Sequence, residues 1–171
     1  DCGPANALMD HWCRHHTGRP YDADGVWAAS GTPIDTLLQV LQSEPFFAWP
    51  APKSTGRDLF NPAWLESRLR SAGALSALPQ DVQATLTELT AATCAEAIQR
   101  SASAARELLV CGGGTYNRHL MSRLAARLPT LQVQPSDAHG LPPHEVEACA
   151  FAWLAKAHVD RACSSLPTAT G

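Results

Sequence analysis

The amino-acid sequence predicts an α/β fold, rich in helix and short of strands. Three observations carry this. Glu107 to Val110 is a short apolar run that leads through Cys111 into Gly112-Gly113-Gly114, with a helical pattern beyond. A second short apolar run, Leu131 to Val133, follows that helix, and another helical pattern follows it in turn. Strand, glycine turn, helix, strand, helix is the grammar of an α/β layer. Most of the remaining chain repeats its apolar residues at helical spacing. Two strands are too few to bury so many helices, so sheet partners are expected outside this chain. A mainly helical domain with a small sheet is the alternative.

The elements follow in order. Pro4 to His16 reads as a helix, with Pro near its first turn, Gly18 past its end, and Leu8, Met9, Trp12 and Cys13 as its stripe. A loop from Thr17 to Asp24 leads to a short helix around Gly25 to Ala29. Gly31 and Pro33 break the pattern before a helix over Ile34 to Leu41. Pro45 to Pro62 is rich in proline and aromatics and is expected to be extended and irregular, because Pro lacks the amide donor and restricts its predecessor. A helix starts at Asn61 or Pro62, runs through Leu69 and ends near Gly73. Pro79 to Ala104 is the longest pattern, with Val82, Leu86, Leu89, Thr93, Ala97 and Ile98 as one stripe. Asn117 to Leu128 is amphipathic, and the last helix runs from Pro142 or Pro143 to Ala162, carrying Val146, Cys149, Ala150, Trp153, Leu154 and Ala157.

With 171 residues, 45% hydrophobic and 17% charged, the chain is globular and large enough for one core, or for one lobe of something larger. Its net charge of −3 gives no reason to expect nucleic acid or an anionic membrane as partner. No apolar run approaches the roughly 20 residues of a membrane span. There is no starting Met, and Asp1-Cys2-Gly3-Pro4 reads as the middle of a motif, so a processed or truncated piece is expected. The six cysteines, Cys2, Cys13, Cys94, Cys111, Cys149 and Cys163, are scattered without a CxxC. They are expected to be buried free thiols in a reducing, hence cytoplasmic, compartment.

The glycine turn is the main candidate site. Consecutive glycines let the backbone approach a ligand, and the helix beyond points free N–H groups at it, which suits a nucleotide. His11 and His15 share a helix face, but no acid lies between them and no distant pair completes a metal site. They read as exposed or core-edge residues. Asp22-Ala23-Asp24-Gly25 lacks the later acids of a calcium loop and reads as a loop feeding a helix. Lys53, Thr55 and Arg57 resemble a phosphate clamp, but a structural loop packing between lobes explains them better.

Six motifs go beyond this grammar. They are Asp1-x-Gly3-Pro4-x-Asn6, Gly18-x-Pro20-Tyr21-Asp22-x-Asp24-Gly25, Pro50-Ala51-Pro52-Lys53-Ser54-Thr55-Gly56-Arg57, Asp81-Val82-Gln83-Ala84-Thr85-Leu86, Val110-Cys111-Gly112-Gly113-Gly114 and Glu147-Ala148-x-Ala150-Phe151-Ala152-Trp153-Leu154. In this order, over essentially the whole chain, they resemble the C-terminal half of the anhydro-N-acetylmuramic acid kinases. That family is similar in fold to the sugar kinases, Hsp70 and actin. The resemblance implies the C-terminal lobe of an actin-like (ribonuclease H-like) ATPase fold.

It also implies an activity. Water opens the anhydro bridge of 1,6-anhydro-N-acetylmuramic acid, and the freed O6 takes the γ-phosphoryl group of ATP, with Mg²⁺ as companion. The product is N-acetylmuramic acid 6-phosphate, an intermediate of cell-wall recycling. By position in the motifs, Asp1 matches the catalytic base and Glu147 a sugar-binding acid, with Glu145 close enough to be confused with it. Gly112, Gly113 and Gly114 match the turn near adenosine and the α-phosphate. Asn117 is a further nucleotide-binding candidate, although capping the next helix also explains it. For Asp1 and Glu147 the local alternatives are a helix cap and a charge complementing a helix dipole. Two departures stand out: Thr115-Tyr116 replaces a small residue and Arg, and Cys2 replaces the common Thr. The family's N-terminal phosphate-binding loop, rich in Gly, Ser and Thr, is absent from this sequence. The missing N-terminal lobe is therefore an expected partner, and the chain alone is expected to be inactive. Families of this kind are often dimeric, so a homodimer is the assembly the resemblance allows. A non-catalytic nucleotide-binding or structural module is the alternative function.

Overall fold

A computed structural model of the chain describes residues 1–165. Among these residues, eight α-helices and two strands follow in the order α1 (Ala7–Thr17), α2 (Val26–Ala29), α3 (Asp35–Gln42), α4 (Pro45–Ala48), α5 (Pro62–Ser71), α6 (Pro79–Ser101), β1 (Glu107–Val110), α7 (Arg118–Arg127), β2 (Gln132–Pro135) and α8 (Val146–Val159). Among the described residues β1 and β2 form a parallel pair, with Leu108 opposite Val133 and Val110 opposite Pro135. The architecture is α/β, helix-rich with a small parallel sheet. No helix among the described residues is long and apolar enough to cross a membrane.

The long helix α6 is the axis of the core. The sequence predicts one apolar stripe for it, but residues 82–93 are buried all round, because α1, α2, α3 and α7 surround it. Its polar residues are satisfied largely within reach of the helix. Thr85 Oγ1 donates to the Asp81 carbonyl at 2.7 Å and accepts from the Ile34 amide at 2.9 Å. Thr87 Oγ1 lies 3.0 Å from the Gln83 carbonyl. Such back-bonding lets threonine sit in a helix interior without an orphaned hydroxyl. The helix stops at Ser101, short of the expected Ala104, because Ala102 leaves helical geometry (φ −143°, ψ 47°).

A buried ion cluster fastens α7 to this axis. Glu88 of α6 is 5% exposed and accepts from Arg123 Nε at 2.6 Å and from Arg127 Nε at 2.6 Å. Burial alone would raise the Glu88 pKa, but the hydrogen bonds and charges of the two guanidinium groups outweigh it and hold the carboxyl below its ordinary range. A single buried carboxylate with two donors thereby sets where α7, and the turn before it, can lie.

The proline-rich stretch is more ordered than expected. Pro45 starts the short helix α4, and Phe46, Phe47 and Phe60 are buried. Their rings pack edge-on or stacked at centroid distances of 5.5–6.1 Å. Glu44 anchors the stretch to α5 through Trp64 Nε1 at 2.8 Å and Arg68 Nη2 at 2.7 Å. Residues 49–61 have no helix of two turns and no strand, as the prolines predict.

The last helix departs furthest from expectation. It begins at Val146 and ends at Val159, and only Ala157 of its expected stripe is buried. Phe151, Trp153 and Val159 are 64%, 57% and 79% exposed. A helix this apolar is normally covered on most sides. The cysteines are corrected too: Cys13 is buried and Cys2 and Cys94 are half-buried, but Cys111, Cys149 and Cys163 are exposed. Two of the exposed three lie on or beyond the uncovered α8, and Cys111 opens the glycine turn.

Candidate functional site

The glycine turn begins at Gly112, which has φ 75° and ψ −172°, a conformation essentially reserved for glycine. Its N–H donates to the Pro143 carbonyl at 2.9 Å, so the segment entering α8 hangs from the turn. Helix α7 does not follow directly. Gly113 to Tyr116 form one 3₁₀ turn, and Asn117 then caps α7 by accepting from the Leu120 amide at 2.9 Å. The predicted capping role of Asn117 is therefore present.

A cavity of about 490 Å³ opens beside this turn. Gly113, Tyr116, Asn117, Asn6, Asp10 and Gln83 are among its lining. That size suits a small-molecule ligand. At its rim the Tyr116 and His144 rings stack with centroids 4.8 Å apart. Asp10 sits where burial raises its carboxyl pKa, partly opposed by Arg14 and Arg57. Gln83 is fully buried, and neither polar atom of its amide has a hydrogen-bond partner among the described residues. Buried amides are nearly always satisfied, so this one marks a place where a polar partner belongs.

Asp22 and Asp24 also line this cavity, but both are engaged. The Asp22 carboxylate accepts from the Trp27 and Ala28 amides at 3.0 and 2.8 Å and so fastens the start of α2. Asp24 pairs with Arg118 at 3.2 Å. Gly25 has φ +70°, and a Cβ there would fall 2.1 Å from Asn117 Oδ1. The Asp22–Gly25 segment is thus a loop feeding a helix, and its glycine lets it press against the end of the glycine turn.

A second, smaller cavity of about 190 Å³ contains Asp1. Asp1 Oδ2 accepts from the Thr55 amide at 2.8 Å and from Ser54 Oγ at 3.2 Å. Asp1 does not cap α1; the 54–55 loop holds it instead. Gly3, Pro4, Ala7 and Arg57 complete this wall. The two cavities lie on either side of the entrance to α1, with Pro4 and Ala7 facing one and Asn6, Met9 and Asp10 the other.

The remaining candidates separate. Lys53 Nζ donates to the Phe46 and Phe47 carbonyls at 2.7 and 3.0 Å, which makes it the closing residue of α4 rather than a clamp. Thr55 and Arg57 both line the smaller cavity, and the Thr55 amide donates to Asp1. Glu147 lies in the first turn of α8, is exposed, and lines neither cavity. Glu145 is likewise exposed. His11, His15 and His16 are exposed and stack on one another and on Trp12. Asp10 and His144 are the site residues that the sequence did not single out; Gln83 and Tyr116 stood out only within motifs.

Across its full length, residues 1–171, the chain matches the family described as anhydro-N-acetylmuramic acid kinase. It is similar to proteins of that name from Variovorax paradoxus, 57% identical over all of this chain and 45% of the relative, and from Albidiferax ferrireducens, 57% identical over all of this chain and 43% of the relative. A Bordetella pertussis protein of the same name is 55% identical, again over all of this chain and 45% of its own length. The chain therefore spans less than half the length of the curated relatives it matches.

Proposed function

The chain belongs to the anhydro-N-acetylmuramic acid kinase family, and from that premise we propose that it forms the C-terminal lobe of an ATP-dependent kinase acting on 1,6-anhydro-N-acetylmuramic acid. The observation that carries the reading is Asp1. Both donors to its carboxylate fall on Oδ2, which leaves Oδ1 without a protein donor among the described residues, beside a cavity. A carboxylate held on one oxygen and free on the other is built to accept a proton.

In this proposal Asp1 Oδ1 takes a proton from the water that attacks the anomeric carbon. The bond from that carbon to O6 breaks, and O6 takes the γ-phosphoryl group of ATP, leaving ADP. Arg57, at the same cavity, has the planar fork that suits the lactyl carboxylate of the sugar. Glu147, which lines neither cavity, enters as a further sugar contact on its place in the family motif alone. Gly112, Gly113 and Gly114 hold adenosine and the α-phosphate across the larger cavity, with the Asn117 side chain beside them. The Gly112 conformation and the unpartnered Gln83 amide fit a nucleotide there. Mg²⁺ would ride on the phosphates and neutralise their charge, since this ion is commonly held by phosphate oxygens and water with few protein ligands.

The lobe reading, with an actin-like fold completed by an N-terminal lobe, draws support from two features. A two-stranded parallel sheet is a fragment of a usual sheet, and α8 presents Phe151 and Trp153 uncovered. We place the activity in the cytoplasm, where ATP is available. Nothing in the site or among the relatives favours a non-catalytic module.

The test is Asp1→Asn at its position in the full-length protein. Phosphorylation of the anhydro-sugar should disappear while nucleotide binding persists. Turnover at the wild-type rate would remove Asp1 from the mechanism. Turnover by the isolated 171-residue chain would overturn the lobe reading.

A further inference from the structure

The Sγ atoms of Cys2 and Cys94 lie 3.5 Å apart, although the residues are 92 positions apart in sequence. The backbone explains this approach. A Cβ at Gly3 would fall 2.8 Å from Thr93 Oγ1, so glycine lets the Asp1–Pro4 segment lie directly on α6. One turn earlier on α6, Thr90 Oγ1 donates to the Ala5 carbonyl at 2.9 Å and holds the segment down. Cys2 and Cys94 are the neighbours of Gly3 and Thr93, and they meet as a consequence. Both are half-buried, whereas Cys13 is buried and the other three cysteines are exposed.

We propose that Cys2 and Cys94 are a redox modification site that forms a reversible disulfide in the presence of a low-molecular-weight disulfide. Cys2 thiolate attacks one sulfur of that reagent and expels the first small thiol. The Cys94 thiol then loses its proton and attacks Cys2 Sγ, expelling the second. Two protein thiols are oxidised by two electrons, and one small disulfide is reduced to two thiols. The sulfurs must close to about 2.05 Å, an approach of roughly 1.5 Å that side-chain rotation at two half-buried positions can supply. The order of attack follows from the local charges. The hydrogen bond from Cys94, with Lys53 assisting, lowers the Cys2 thiol from its ordinary value, and the same contact raises Cys94.

The crosslink adjoins Asp1 in sequence. Asp1 is held by the 54–55 loop and Cys2 would be drawn to α6, so the bond sets two anchors against each other. A displacement of about 1 Å in a positioned group costs up to roughly a hundredfold in rate. This activity consequence rests on the proposed kinase reading, whereas the crosslink itself does not.

The experiment uses the full-length protein, reduced and then exposed to glutathione disulfide at neutral pH. Peptide mapping should find the segment ending at Arg14 joined through Cys2 to the segment ending at Arg100 through Cys94, reversed by dithiothreitol. Glutathione retained on Cys2 with Cys94 still free, or no modification of either, would overturn the site. Cys94→Ser should instead trap the mixed disulfide at Cys2, and a Cys94→Ser protein that still forms an internal crosslink at Cys2 would also overturn it. Oxidised wild type should lose turnover by roughly tenfold or more and regain it on reduction, with Cys94→Ser showing no reversible crosslink-dependent loss. A crosslink that forms without loss of turnover retains the modification site and removes its coupling to Asp1. Absence of turnover even in the reduced protein would count against the kinase reading alone.

Discussion

Gly25→Ala should damage the wall of the larger cavity, where we propose that nucleotide binds, from a residue that has no side chain to make a contact. The position has φ +70°, and a Cβ there would lie 2.1 Å from Asn117 Oδ1 and 2.6 Å from His119 Cβ. Three costs combine. The left-handed conformation costs a non-glycine residue about 1 kcal/mol. Displacing Asn117 Oδ1 from the Leu120 amide removes a helix cap worth about 1 kcal/mol. Forcing the two chains apart adds about 1 kcal/mol or more of overpacking. The total is roughly 3 kcal/mol. Gly18→Ala is the control, since Gly18 has φ +73° with nothing within 4 Å of its would-be Cβ, and it should show only the conformational cost. Equilibrium urea denaturation of the full-length variants, followed by tryptophan fluorescence, measures both. If the two alanine variants differ by less than about 0.5 kcal/mol, the claim that Gly25 is needed to seat the Asn117 cap is wrong.

Three further outcomes follow from the site and its supports. Gln83→Leu should leave stability in the absence of nucleotide within about 1 kcal/mol, because an unsatisfied amide contributes little, yet weaken ATP binding by roughly tenfold in calorimetry; unchanged affinity would show that the amide meets only water. Glu88→Gln should destabilise by about 2 kcal/mol, less than a fully buried pair, because Arg123 and Arg127 are partly exposed and can rehydrate; a denaturation midpoint equal to wild type would refute this. The Glu88 pKa is lowered on folding, so its stabilisation is complete above the ordinary carboxylate value of 4.5 and is lost as pH falls through the folded value. The acid limb of a stability–pH curve should therefore be shallower in Glu88→Gln, and coincident limbs would contradict the assignment.

Much of the secondary structure was legible because local signals and tertiary packing agree. Gly18 ends α1 in a left-handed cap, Pro62 and Asn61 start α5, and Asn117 caps α7, each where turn chemistry demands. The strand bounds at Glu107–Val110 matched for the same reason. Burial was less legible. α6 looked amphipathic because its stripe is mainly aliphatic, whereas Thr85 and Thr87 are buried through back-bonds that no period reveals. α8 showed the opposite failure: its apolar residues predict burial, but nothing among the described residues covers them. Within the site, the Asp1 motif and the glycine turn were visible as motifs. Their common attachment to the start of α1 was not, since Asn6 and Gly113 are brought to one cavity only by folding.

That shared attachment has a thermodynamic consequence. The wall between the two cavities is little more than the first turn of α1, with a buried proline on one side and the Asn6 amide on the other. A wall so thin and so well packed against α6 cannot yield to a guest on one face without presenting a changed face to the other. Where a guest in one compartment shifts this wall, linkage requires that each guest alter the affinity for the other by the same factor.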